Sequence, residues 1–137
     1  MDIAILLATD HSNINILCFT EHWLSDVQLQ VLNIDRFRLV SNFSRSQGAS
    51  GGSCIFVRNT IETKDVNYLR NLGKEGVFEV SATELFTTNT ILACICRSPD
   101  SDFYTFLHTL EVLISKVPSI GKNLVTWIQI SYNKATN

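Results

Sequence analysis

A basic excess is the first thing missing from this chain. Lys and Arg number 11 against 13 Asp and Glu, giving a formal net charge of −2 over 137 residues and a pI near 5.8. Surfaces that hold duplex nucleic acid usually carry the opposite sign. The composition therefore argues against strong affinity for DNA by the chain as a whole and leaves only a local patch, where Arg36, Arg38, Arg45 and Arg58 lie close in sequence. Long hydrophobic runs are missing too. None approaches the roughly 18–20 residues that a membrane span needs, so no membrane partner is expected. The apolar N-terminus lacks the basic flank of a signal peptide. The four cysteines lack the spacing of a zinc ribbon or a CxxC redox pair. Cys18, Cys54, Cys94 and Cys96 fall in short apolar contexts that read as buried strand, as expected of reduced structural thiols in an intracellular protein. Cys94 and Cys96 share one strand face, and no second pair completes a tetrahedral site. No two of the three histidines have metal-ligand spacing; His11 and His22 read as turn residues and His108 as solvated.

What is present is apolar and finely divided. Hydrophobic residues make up 45% and charged ones 18%, with a mean hydropathy of +0.13, which argues against disorder. The length suits one domain with one core, over residues 1–137. Met1 to about Thr9 reads as a helix and 10–13 as its stop. Ile14 to Thr20 reads as a buried strand. Ser25-Asp26 offers a cap for a short helix through Leu32. Arg36 to Phe43 alternates as a half-exposed strand should. The polar, Gly-rich stretch 44–52 reads as a strand connection; it lacks the Lys-Ser/Thr of a phosphate-binding loop.

Strands are expected at 54–58, more weakly at 61–66, and at 77–85 and 90–96. The last two form a hairpin across a short Thr-Thr-Asn link. The segment 68–75 reads as a polar connection with room for one helical turn. Asp102 caps a helix from Phe103 to about Lys116, with Phe103, Phe106, Leu107, Leu110, Leu113 and Ile114 as its apolar face, and Pro118 ends it. Asn123 to Ile130 is a last strand before a polar tail. Runs of strands with few flanking helices point to an α/β, α+β layered domain. Nothing after the last strand would cover it, so the chain reads as cut short. Self-association through exposed sheet edges and marginal stability are expected.

The stretch Ile14-Asn-Ile-Leu-Cys-Phe-Thr-Glu21-His-Trp-Leu24 carries the chemistry. An acid at the carboxyl end of a strand stands where open α/β sheets place ligands. By its position alone, Glu21 is either a solvated acid serving the next turn or a metal ligand.

This stretch resembles the metal-carboxylate strand of the endonuclease/exonuclease/phosphatase fold, in the version carried by jockey-like non-LTR retrotransposons. Further segments resemble that family in order: Gly51 to Arg58, Val77 to Val80, Ile91 to Pro99, Phe103 to Leu113, and Gly121 to Val125. The resemblance implies a partial β-sandwich with flanking helices, truncated at both ends. It implies Mg²⁺-dependent nicking of DNA, with Mg²⁺ held by Glu21 and neutralising the scissile phosphate. Arg45, Arg58 and Arg97 would then contact the nucleic acid. It also implies an impaired enzyme, because Cys96 falls where the family has an orienting Tyr and Gln129 where it has the catalytic Asp. A Gln cannot take a proton at neutral pH, and general acid–base help is worth about 10²–10⁴ in rate. The alternatives are a non-catalytic binding or association module and a functionless remnant of a mobile-element gene.

Overall fold

The computed structural model describes residues 13–46 and 50–130. The helix expected over Met1–Thr9, the turn at His11, part of the Gly-rich loop and the polar tail lie outside the described residues. The elements run β1 (Ile16–Thr20), α1 (Asp26–Val31), β2 (Phe37–Phe43), β3 (Ser53–Arg58), β4 (Thr63–Asp65), α2 (Asn67–Arg70), β5 (Glu79–Leu85), β6 (Thr90–Arg97), α3 (Phe103–Ser119) and β7 (Asn123–Ile130). They form two sheets, ordered β1-β3-β2 and β4-β5-β6-β7. The pairings are antiparallel except β6 with β7, which run parallel. A parallel pair needs a crossover, and α3 supplies it.

The sheets stack face to face, with β2 and β3 over β5, and β3 and β1 over β6. Ile55 and Val57 meet Leu92 and Cys94 in the dry layer between them. Outside the four-stranded sheet, Phe106, Leu113 and Val117 of α3 pack on Ile91, Ala93 and Ile95. Outside the three-stranded sheet, Leu29 of α1 packs with Phe37, Cys54 and Phe56. The α/β layered architecture expected from the sequence is the one observed. The hairpin is present too, closed from Leu85 to Thr90 with Asn89 at a φ of 55°.

Several expectations need correction. Among the described residues β1 is an edge strand, paired only with β3; it is half-buried and Cys18 is exposed to solvent. An apolar run reads the same whether its strand is central or at an edge. The strand expected over 61–66 is only Thr63–Asp65. The strand from 77 begins at Glu79, because Phe78 exchanges two backbone bonds with Lys74, at 2.9 and 2.8 Å, to close the turn through Gly76. α3 passes through Pro118 to Ser119. Proline removes one N–H, and within the last turn the helix loses only that bond. The buried face of α3 is narrower than expected: Phe106, Leu113 and Val117 face the sheet, while Phe103, Leu107 and Ile114 are exposed.

Candidate functional site

The carboxyl end of β1 turns back sharply. Glu21 and Trp23 both adopt left-handed backbone, with φ of 57° and 62°, a region costly for residues other than glycine and common at functional sites. Two bonds hold the turn in place: Glu21 N–H donates to Gly52 O at 2.8 Å and Trp23 N–H to Gly51 O at 3.1 Å. Both glycines have positive φ, 70° and 94°. A Cβ on Gly52 would lie 2.3 Å from His22 Nε2 and 2.8 Å from Phe43 O. The pair therefore serves the close approach of the β1–α1 turn to β3, a reason for two glycines that the sequence pattern alone did not give.

Around this turn the structure gathers Glu21, Cys96 and Gln129. Register sets Cys96 beside Gln129 on adjacent strands. Thr20 Oγ1 donates to Gln129 Oε1. The Cys96 thiol donates to Glu21 Oε1 at 3.4 Å and the Trp23 indole N–H to Glu21 Oε2 at 3.1 Å. Burial and the neighbouring Glu21 charge push the Cys96 thiol up to about 12, so it is protonated at neutral pH. His22 is placed structurally: one ring nitrogen meets Phe43 O at 2.9 Å, and Nδ1 accepts from Leu24 N–H at 2.9 Å. Beneath the turn lies an apolar pocket of about 270 Å³, lined by Phe19, Leu24, Leu29 and Phe56, with Glu21 and His22 also on its wall.

These donors do not fit a magnesium centre. Mg²⁺ demands octahedral oxygen ligation, usually from one or two carboxylates with water and phosphate. The cluster offers one carboxylate, whose two oxygens each accept a hydrogen bond, beside a neutral thiol and an amide. Among the described residues no group of three or more His, Cys, Asp or Glu is placed to hold a metal ion.

The three arginines expected at a nucleic-acid surface are separated and bonded within the chain. Arg58 stacks over Phe37 and donates to Ile14 O. Arg97, only 8% exposed, lies over Phe103 and donates to Ser101 O at 2.8 Å. Arg45 grips Glu79 with Nε at 2.6 Å and Nη2 at 3.2 Å. Glu79 is fully buried and also accepts from the N–H groups of Gly52 and Gly76, each at 3.0 Å. Burial disfavours its charge, but Arg45 and the two N–H groups outweigh that and hold the carboxyl below its usual range. Sequence reading missed this cluster. Its trace was an acid inside the apolar run Val77-Phe78-Glu79-Val80, which only a buried partner would make tolerable.

No protein-family profile matches the chain, and no curated protein matches it. Among solved structures, it is similar to the crystal structure of the Xenopus laevis APE2 catalytic domain, at 13% identity and a TM-score of 0.55. The match covers 100% of this chain and 55% of that one, so the chain spans about half the length of its neighbour. At that identity the likeness speaks for the fold alone: a mixed α/β sandwich of two stacked sheets.

Proposed function

We propose that the chain derives from the endonuclease domain of a non-LTR retrotransposon and that its hydrolytic chemistry is impaired. The parent activity on this reading is Mg²⁺-dependent nicking of DNA phosphodiesters. The fold shared with a catalytic domain supports the descent. The observation that carries the impairment is the convergence of Glu21 with Cys96 and Gln129. Glu21 keeps the ligand position, but the amide of Gln129 cannot serve as general base, and the neutral thiol of Cys96 donates to the carboxylate instead of orienting it toward a cation. Arg45, Arg58 and Arg97 are the candidate nucleic-acid contacts. Their internal bonds and the net charge of −2 predict weak binding to duplex DNA.

The test is nicking of supercoiled plasmid in Mg²⁺ and in EDTA, with Glu21→Gln alongside. The expected result is no nicking above the variant in either buffer. Nicking that requires both Mg²⁺ and Glu21 would refute the impairment.

A second reading, association of the folded unit through an exposed sheet edge, is favoured by β7. That strand carries no charged residue, and Val125 and Trp127 stand in solvent.

A further inference from the structure

We propose that β7 is a dimerisation strand: two copies of this chain pair their β7 edges antiparallel about a two-fold axis, continuing the four-stranded sheet into one of eight. The inference rests on the association reading above and names its surface and partner.

Among the described residues the sandwich has four edge strands, and three are poorly suited to pairing. β4 is three residues long and charged, Thr63-Lys64-Asp65. β2 carries Arg38 and an irregularity between Leu39 and Ser41. β1 has five residues, and Thr20 at its end is tied to Gln129. Short length, charge and bulges are the devices that keep edges apart. β7 has none of them. It runs eight residues, Asn123–Ile130, in unbroken register with β6, and contains neither charge nor proline.

Its faces differ. Leu124, Ile128 and Ile130 pack toward the core under α3. Val125 and Trp127, beside the inter-sheet residues Leu92 and Cys94, are 57% and 64% exposed. They wall an apolar groove of about 360 Å³ whose other side is Ile16 and Cys18 of β1.

A second copy fits this surface because the strand is self-complementary. With Thr126 opposite Thr126 of the other copy, Val125 faces Trp127 on the same side of the new sheet, twice. Aromatic and β-branched residues are favourable cross-strand neighbours, and the absence of formal charge on β7 means that nothing on it repels its copy. An indole offers about 150–250 Å². In this register Asn123–Gln129 of each copy pair with one another, fourteen residues in all, and with two indoles and two valines this is a small contact beside the roughly 1,200–2,000 Å² of stable specific interfaces. The dimer is therefore weak and reversible.

The experiment is sedimentation velocity over a concentration series from micromolar to millimolar, on the wild type and on Val125→Lys/Trp127→Lys. Both replaced side chains are exposed, and circular dichroism checks that the variant folds. Expected is a monomer–dimer equilibrium whose midpoint moves at least tenfold higher in the variant, with β7 amides protected from hydrogen exchange only at high wild-type concentration. An undiminished dimer in the variant would overturn the β7 assignment while leaving edge association standing. A wild type that stays monomeric throughout would overturn both. Open-ended growth without a dimer plateau would overturn the two-fold arrangement.

Discussion

At the scale of single residues, the four cysteines separate by environment. Burial pushes Cys54 up to about 12, as burial and Glu21 do for Cys96. Cys94 is also raised, first by its hydrogen bond to Cys18 and then by burial. Cys18 moves the other way: Cys94 donates to it and favours its thiolate, and it is the exposed member of the set. Reactivity follows thiolate fraction and access. Brief alkylation of the native protein near pH 8 is therefore expected to modify Cys18 first, with the other three protected until unfolding. Mass spectrometry of the labelled peptides checks this, and Cys18→Ser is expected to abolish the fast phase. Labelling of Cys94 as fast as Cys18 would mean that the layer beside the groove between β1 and β7 opens in solution.

At the scale of elements, the β1–α1 turn depends on Gly52 as much as on its own residues. At a φ of 94° an added Cβ meets His22 and the backbone oxygen of Phe43. Left-handed backbone alone costs an L-residue about 1–2 kcal/mol. Gly52→Ala is expected to lose at least that in urea unfolding and to displace the turn that carries Glu21. A loss below about 0.5 kcal/mol would mean that the turn adapts.

The same region shows why some of the molecule was legible in sequence and some was not. Apolar runs, alternation and helical spacing located β1, β2, β3, β5, β6, β7 and α3, because pattern reports burial: β3, β5 and β6 are buried on both faces, and α3 on one. Pattern does not report which strand lies at an edge, so the apolar run of β1 reads as buried where the strand is half-exposed. It overstated the apolar stripe of α3, because Leu107 and Ile114 lie at helical spacing but beyond the sheet. Glu21 stood out by its place after a strand. Its meeting with Cys96 and Gln129, 75 residues and more away, depends on sheet order, and the grip of Arg45 on Glu79 depends on a turn and a loop closing from opposite sheets. Neither distance is written in local propensity.

At the scale of the whole molecule, Glu79 holds the two sheets together. It opens β5, in the four-stranded sheet, and its carboxylate binds Arg45 beyond β2 and Gly52 before β3, both attached to the three-stranded sheet. Nearby, Ser53 Oγ meets Ser81 Oγ at 2.8 Å and Ser41 Oγ accepts from Ala82 N–H at 3.0 Å, so the polar seam between the sheets is satisfied on several bonds. Removing one member of a buried pair strands the other. The Arg45 side chain is 18% exposed and partly relieved by water, so Glu79→Gln is expected to cost about 3 kcal/mol, the low end for such pairs. The pH dependence has a definite sign. The folded carboxyl lies below its unfolded value of about 4.3, so its contribution is complete above that pH and is lost as pH falls through the lower, folded value. Unfolding free energies measured in urea from pH 7 to pH 3 are expected to fall more steeply for the wild type than for Glu79→Gln, the two curves converging at the acid end. Parallel curves would show that this carboxylate does not titrate with folding, and the seam would then rest on the serine bonds and the apolar layer between the sheets.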